Sequence, residues 1–224
     1  MPAAWAALAR SAPQVRLDLV EMEPEESLPA VLRGETDVAV AHEYDLLPRP
    51  LDPLFERREL LSDPVLVAVP AAHPLATEGL ATEGLATEGT VPPAARGTVP
   101  LGSLSGLPFL APRSTTSCAE MIQRACARAG FVPGVVARAT DFGVLLSLVA
   151  AGAGVTLVPA LAAQSVSAGP LAPRVRLMPP AEPVTRLVFT VSRRAADRKP
   201  AVRVVLDALA AEAARPPAAP PAAA

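Results

Sequence analysis

Hydrophobic and polar positions follow two different periods along this chain. In residues 15–22 (VRLDLVEM), Val15, Leu17 and Leu19 are separated by charged side chains, which is the period of a half-buried strand. Apolar runs predict further strands at 37–41, 64–70, 107–112, 135–140, 155–159 and 186–192. Helical periodicity covers residues 2–11, about 25–33, 117–129, 141–151 and about 200–214. Strands alternating with helices predict βαβ units, an α/β fold and mostly parallel sheets.

Glycines and polar residues mark where several of these helices begin and end. Gly34, Gly130 and Gly152 each follow a predicted helix, where a left-handed residue commonly closes the last turn. Asp141 begins the predicted helix 141–151 and is expected to cap it. Pro29 fits the helix 25–33 poorly unless that helix starts near Ser27.

Residues 75–89 repeat a five-residue unit three times, LATEGLATEGLATEG. A period of five matches neither a helix nor a strand, and each copy carries a glycine. We interpret residues 77–97 as a repeat insertion in an exposed loop, because closing a longer loop costs little extra entropy. The last residues, 216–224, are rich in proline and alanine and are expected to be disordered.

Length and charge narrow the class of protein. The chain has 224 residues, of which 51% are hydrophobic, so one large or two small domains can bury a core. The formal net charge is −2 and no basic run is present, so this chain has no electrostatic footprint for nucleic acid. No uninterrupted apolar run approaches the roughly 20 residues of a membrane span. The first 15 residues lack the pattern of a signal peptide, and we expect a cytoplasmic protein.

The cysteines and histidines do not predict a metal site. Cys118 and Cys126 are eight residues apart on one predicted helix, about 12 Å along its axis, which is too far for a disulfide. Reduced thiols are expected. The two cysteines and two histidines fit no zinc spacing, so neither a metal nor a cofactor is predicted.

Residues 112–121, PRSTTSCAEM, place four hydroxyl groups and a thiol before a predicted helix. Such a run could provide a nucleophile, a metal thiolate, an anion cradle or a helix cap. A G-x-S-x-G elbow is missing, and only His42 and His73 could act as bases. His73 is expected to cap or pack in a loop, while His42 could face a cleft or lie exposed. We therefore predict no catalytic residue and no enzyme.

Capping explains only part of that run. Ser117 and Glu120 have the spacing of a capping box. Ser114, Thr115 and Thr116 would then surround the first turn of the helix, where anions and polar groups bind well. They are candidate contacts for a small carboxylate or polar ligand, whereas Cys118 is expected to pack beside them.

Three stretches together resemble the effector-binding domain of LysR-type transcriptional regulators. They are VRLDLVEMEPEESLPAVLRGETDVAVA (15–41), LLSDPVLVAVPAAHPLA (60–76) and GFVPGVVARATDFGVLLSLVAAGAGVTLVPAL (130–161). Their order is more specific than any one of them, and the resemblance covers about residues 1–215 apart from 77–97. It implies two Rossmann-like α/β subdomains of the periplasmic-binding-protein type II, with the chain crossing twice between them. Subdomain I would be residues 1–60 plus 185–215, and subdomain II residues 61–184.

The resemblance also implies an effector pocket in the cleft between the subdomains. Pro24 stands where many members carry a hydroxyl or a small residue, and the neighbouring glutamates weigh against a highly anionic effector. The residues expected to contact the effector are Met22, Glu23, Pro24, His42, Ser114, Thr115, Thr116, Cys118, Thr140 and Phe142.

The chain departs from the family at its start. Members carry a winged helix-turn-helix, a linker helix and then a first strand of subdomain I, and this chain opens after that strand. We expect a truncated gene or a misassigned Met1, an incomplete pocket and a poorly stable subdomain I. The family implies a homodimer or tetramer that binds a small-molecule effector. DNA would be bound only through the missing domain.

Two other functions use related folds. A solute-binding protein would need export, for which the sequence shows no signal peptide. A short-form phosphoribosyltransferase would need a phosphate-cradling Gly/Thr loop after an acidic strand end, which the sequence lacks. A bacterial effector-sensing domain is therefore the preferred interpretation.

Overall fold

The computed structural model describes residues 2–76, 97–167 and 169–215. Its helices are α1 (Pro2–Ser11), α2 (Pro24–Arg33), α3 (Ser117–Arg128), α4 (Phe142–Ala150), α5 (Ala160–Ser167) and α6 (Pro200–Ala213). Its strands are β1 (Val38–Tyr44), β2 (Phe55–Pro70), β3 (Pro108–Pro112), β4 (Gly134–Ala139), β5 (Thr156–Pro159), β6 (Val175–Met178) and β7 (Thr185–Arg193). Residues 77–96, which include most of the LATEG repeat and nearly all of the predicted insertion, and the predicted disordered tail 216–224 lie outside the described residues.

The chain forms two compact units. Unit 1 is built on Met1–Glu43, Pro48–Ser62 and Leu187–Ala224, and unit 2 on Tyr44–Leu47 and Asp63–Arg186. Strands β2 and β7 each contribute residues to both units. These two strands therefore carry the chain from one unit to the other.

Unit 1 is held together by apolar side chains of α2 against three strands. Leu28 and Val31, three residues apart on one face of α2, pack with side chains of β1, β2 and β7. The helix begins at Pro24, whose missing N–H is unneeded in a first turn, and accommodates Pro29 within it. Gly34 closes the helix in the left-handed conformation at φ 78°, as predicted.

The predicted strand 15–22 is not a strand in the structure. Residues 16–22 run without regular secondary structure, and their main chain makes no hydrogen bond to the main chain of any described residue. Leu19 and Val20 are 59% and 60% exposed. The prediction is wrong because a strand needs a neighbouring strand to pair with, and no described strand pairs with these residues.

A cluster of charges joins the strands of unit 1. The Arg57 guanidinium donates to Glu43 Oε1 at 2.7 Å and to Glu59 at 2.6 Å, and it stacks 3.7 Å above the ring centroid of Phe189. The amide of Arg49 donates to Glu43 Oε2 at 2.7 Å. Burial raises the pKa of Glu43, but these hydrogen bonds and the positive charge of Arg57 outweigh burial and hold the pKa below its ordinary value of 4.5.

Unit 2 contains parallel and antiparallel strand pairs. Strands β3 and β4 pair in parallel, as the alternation of strands and helices predicts. Strand β2 pairs antiparallel with both β5 and β6, so the prediction of mostly parallel sheets is wrong for this strand. The pattern could not distinguish the two arrangements, because a strand buried on both faces has the same apolar run in either direction.

The sequence patterns located most elements but missed several. Helix α5, strand β6 and the first half of β2 were not predicted. Helix α5 has only eight residues, too few for helical periodicity to emerge. The first half of β2 contains FERREL, whose charged side chains are typical of a loop until the ion pairs of Arg57 and Arg58 are known.

A buried carboxylate joins three segments of unit 2. The side chain of Asp63 is 1% exposed, and its Oδ2 accepts two hydrogen bonds from Arg186, at 2.5 and 3.0 Å. Its Oδ1 accepts the amide of Leu161, in the first turn of α5, at 3.0 Å. Both oxygens are therefore used, which is the condition under which a buried charge is tolerated.

We expect Asp63→Ala to lower the free energy of unfolding by about 3 to 5 kcal/mol, because it leaves the Arg186 charge half-buried without its partner. Urea denaturation followed by circular dichroism measures this change. Asp37→Ala serves as the control, since it removes the exposed ion pair with Lys199 and should change the free energy by less than about 1 kcal/mol. Equal losses in the two variants would contradict the assigned role of Asp63.

The lowered pKa of Glu43 gives a pH-dependent prediction. A carboxyl whose folded pKa is depressed stabilises the fold above its unfolded pKa and loses that contribution as the pH falls through the folded pKa. Glu43→Gln should therefore destabilise unit 1 at pH 7, and the difference from the parent chain should shrink as the pH falls below 4.5. Denaturation curves along a pH series measure it. Glu59→Gln removes a more exposed partner of Arg57 and should have the smaller effect.

Candidate functional site

Two loops of unit 2 start side by side, at the ends of paired parallel strands. Pro112, the last residue of β3, lies opposite Ala139, the last residue of β4. Arg138 donates from Nη1 to the Pro112 carbonyl at 2.9 Å and so ties the two strand ends together. Ligands of α/β proteins bind beyond the carboxyl ends of such strands. The loop of residues 113–116 and the loop at Thr140 therefore open on the same edge of unit 2.

Thr116 caps helix α3, and Ser117 does not. The Thr116 hydroxyl accepts the Ala119 amide at 3.3 Å and donates to the Arg113 carbonyl at 2.9 Å. The predicted capping box of Ser117 and Glu120 is therefore wrong. Glu120 instead forms an ion pair one turn onward, with Arg124 at 2.7 Å.

Ser114 and Thr115 lie exposed in the turn that precedes this cap. Neither hydroxyl takes part in a hydrogen bond within the part of the chain that the structure describes. The fold itself therefore does not use these two hydroxyls. Their donors and acceptors remain available to a molecule that arrives from solvent.

Helices α3 and α4 begin with different charges at their caps. Asp141 caps α4, as predicted, and its Oδ1 accepts the amides of Gly143 at 2.5 Å and Val144 at 3.2 Å. A carboxylate therefore already balances the positive end of the α4 dipole. The cap of α3 is the neutral hydroxyl of Thr116, and the one carboxylate of its first turn, Glu120, is paired with Arg124. The positive end of the α3 dipole therefore keeps a preference for an anion or a strong acceptor.

The other candidates of unit 2 surround these loops. Thr140 is exposed, and Phe142 is half-buried against two hydrophobic clusters. Cys118 is 4% exposed, and its Sγ lies 2.9 Å from the hydroxyl oxygen of Tyr44. Both cysteines are free thiols, as predicted, and burial raises the pKa of Cys126 to about 12. Cys118 is therefore buried behind the loop of residues 113–116, whereas Thr140 lies exposed at the surface.

The candidates of unit 1 lie at the start of α2 and in β1. Met22 and Glu23 are half-buried, and Glu23 is the residue just before α2. Pro24 is buried and borders a surface groove of about 230 Å³, which α2 forms with residues 49–55. His42 is half-buried within β1, so it does not follow the strand as predicted, because β1 extends to Tyr44. Glu43 is engaged by Arg57 and Arg49.

The described residues hold no group of three or more His, Cys, Asp or Glu side chains that could bind a metal ion. None of the helices in the described ranges is long and apolar enough to cross a membrane. His73 lies in a loop, where its Nδ1 accepts the Leu75 amide at 3.3 Å, and so it has the capping role predicted for it.

The sequence patterns did not identify the buried side chains that pack behind the candidate site. Tyr44 is the only tyrosine of the chain and is fully buried beside Cys118. A single aromatic residue at the end of an apolar strand could have indicated a packing role. The strand register that brings Arg138 to Pro112 is not encoded in any local pattern, so no sequence signal could have found that contact.

Comparisons with known proteins find relatives that are similar to this chain in sequence or in fold. The regulator AlsR of Bacillus subtilis (strain 168), described as an HTH-type transcriptional regulator, is 26% identical over 150 residues. That match covers 67% of this chain and 43% of AlsR, so the chain matches less than half of that relative's length. The effector-binding domain of BenM with benzoate superposes with a TM-score of 0.71 at 21% identity, covering 97% of this chain and 89% of that one. The effector-binding domain of QuiR with shikimate gives 0.69 at 15% identity, covering 95% and 89%.

The solved relatives share the α/β fold described above, with the architecture of the periplasmic-binding-protein type II domains. The family model for the LysR substrate-binding domain matches residues 1–214, nearly the whole of the described chain. The chain therefore belongs to the LysR substrate-binding domain family.

Proposed function

We propose that the chain is an effector-sensing domain, which binds a small molecule and thereby regulates a DNA-binding region of a longer protein. The observation that carries the proposal is the exposed pair of hydroxyls, Ser114 and Thr115, in front of a helix with a neutral cap. These hydroxyls have no partner within the described protein, and the helix favours an acceptor beside them. The proposed role is binding, with no catalytic step.

The chemistry of this edge favours a small molecule with one carboxylate or another strong acceptor. Ser114, Thr115 and the positive end of the α3 dipole would all interact with a single negative group. Asp141 places one negative charge beside it, at the start of α4, which disfavours ligands with several anionic groups. BenM with benzoate and QuiR with shikimate show that domains of this fold bind small carboxylic acids. Both acids are therefore suitable probes.

Further parts of the proposal concern the whole protein. We propose subdomain I as residues 1–60 plus 185–215, and subdomain II as residues 61–184, and we propose Met22, Glu23, Pro24, His42, Cys118, Thr140 and Phe142 as further contacts. An effector that binds one conformation better than another shifts the equilibrium between them by that difference in affinity. In a cytoplasmic dimer or tetramer such a shift would reposition the DNA-binding regions.

We expect a bound effector to raise the melting temperature of the chain. A ligand present at 100 times its Kd stabilises the native state by about 2.7 kcal/mol. For a chain of this size, such a gain corresponds to a rise of about 5 to 10 °C. A thermal-shift screen with benzoate, shikimate and related small carboxylic acids measures it. The absence of a shift with every small acid would remove the carboxylate as the recognised group.

The segment Ser114–Thr116, called here the hydroxyl loop, can be tested with two matched substitutions. Thr115→Val keeps the shape of the side chain and removes a hydroxyl that the protein does not bond, so it should weaken binding of the probe acid about 5- to 10-fold. The melting temperature without ligand should not change. Thr116→Val should weaken binding and also lower the free energy of unfolding by about 1 kcal/mol, because it removes the α3 cap.

Two controls accompany these variants. Thr116→Ser keeps the capping hydroxyl and should restore the stability lost in Thr116→Val. Ser103→Ala removes an exposed hydroxyl of the same unit, whose only hydrogen bond in the described structure is to the Pro100 carbonyl, and should leave binding unchanged. Unchanged affinity in Thr115→Val and Thr116→Val would reduce the loop to a helix cap and overturn the proposed site.

We expect the 224-residue chain to bind no operator DNA by itself. Its formal net charge is −2, and Arg57, Arg58 and Arg186 are held in ion pairs within the protein. An electrophoretic shift assay at 50 mM salt, with and without the effector, measures this. A salt-sensitive complex at nanomolar concentration would contradict the expectation.

A further inference from the structure

A four-residue segment leaves unit 1 and is embedded in unit 2. Tyr44–Leu47 belongs to unit 2, although the residues on either side of it, Glu43 and Pro48, belong to unit 1. Tyr44 is 0% exposed and is part of the main hydrophobic cluster of unit 2, against which Leu46 and Leu47 also pack. The segment Tyr44–Leu47 therefore packs as part of unit 2, although the rest of that unit is Asp63–Arg186.

Hydrogen bonds hold the segment Tyr44–Leu47 in place along its whole length. The Leu47 amide donates to the Tyr44 carbonyl at 2.8 Å, which closes a tight turn, and the Asp45 amide donates to the Thr185 carbonyl at 3.0 Å. Arg124 on α3 donates to the Leu46 carbonyl at 3.3 Å. With turn, strand and helix contacts together, the position of the Tyr44 ring is determined before any ligand is present.

The end of the Tyr44 side chain meets the first turn of α3. Its hydroxyl oxygen and Cys118 Sγ share a hydrogen bond at 2.9 Å, and both groups are buried. Cys118 is the second residue of α3 and lies two positions after the cap, Thr116. The contact therefore acts on the turn that begins directly after the exposed hydroxyls of Ser114 and Thr115.

We propose that Tyr44 is a positioning residue for the effector site, and that it holds the first turn of α3 through Cys118. The inference rests on the function proposed above, because the turn matters to binding only if the hydroxyl loop contacts the effector. A rigid aromatic ring transmits position well, since it has only two side-chain torsions. Ligand affinity increases when a site is already ordered in its bound geometry, and Tyr44 provides that order.

Hydrogen exchange on the complete chain tests the positioning role of Tyr44. Tyr44→Phe keeps the ring and removes only the hydroxyl that meets Cys118. The amides of Ala119 and Glu120, which bond to the Thr116 carbonyl, should exchange at least 5-fold faster. The Ala129 amide, bonded to the Ala125 carbonyl at the far end of α3, should exchange at its original rate. Faster exchange at both ends would mean a general loss of stability and would overturn the inference.

Substitutions at the cysteines provide the matched controls. Cys118→Ser keeps a group that can share a hydrogen bond with Tyr44 and should retain slow exchange in the first turn. Cys118→Val has a similar shape without that ability and should reproduce the fast exchange of Tyr44→Phe. Cys126→Val removes the other buried thiol of α3, for which the described structure gives no side-chain hydrogen bond, and should leave the first turn unchanged. Equal exchange in Cys118→Ser and Cys118→Val would overturn the role of the Tyr44 hydroxyl.

Binding of the probe acid separates this inference from the proposed function. For benzoate or shikimate, whichever raises the melting temperature of the parent chain, Tyr44→Phe should weaken binding about 5-fold. Unchanged exchange in the first turn of Tyr44→Phe overturns the positioning role, whatever the site binds. Faster exchange with unchanged affinity leaves Tyr44 holding the turn and removes the hydroxyl loop from the effector site.

Discussion

The buried carboxylate of Asp63 constrains how three segments of unit 2 meet. It accepts two hydrogen bonds from Arg186 and one from the first turn of α5, and it has almost no contact with solvent. Asp63 and Arg186 are the first and last residues of unit 2 on β2 and β7, the strands shared with unit 1. A buried charge without partners would be far too costly, so these three segments must meet at one position.

The candidate site depends on a second constraint, the parallel register of β3 and β4. This register makes two helices start at neighbouring positions, and their caps then differ in charge because one cap is a hydroxyl and the other a carboxylate. The same edge thus presents one helix end that attracts an acceptor and one that is already neutralised. Tyr44 supports the first of these helices from within the core, where water does not compete for its hydrogen bond.

Local features of the sequence were predictable, and features that depend on partners were not. The cap at Asp141, the closing Gly34 and most element positions follow from residue type and spacing alone. The strand at 15–22 failed because pairing requires a neighbour that no local pattern describes. The cap of α3 was misplaced by one residue, because Thr116 and Ser117 are equally good caps until the turn 113–116 selects one. The contact of Tyr44 with Cys118 spans 74 residues, so only the fold could reveal it.

The loop before α3 divides its hydroxyls into two kinds. The Thr116 hydroxyl bonds to a residue before the helix and to one in its first turn. The hydroxyls of Ser114 and Thr115 have no hydrogen bond within the described protein. Under the proposed function, mutations of Ser114 and Thr115 would change which ligand the loop recognises without loosening the helix. In evolutionary terms, ligand preference could then drift at these two positions, while the capping hydroxyl of Thr116 stays under selection for folding.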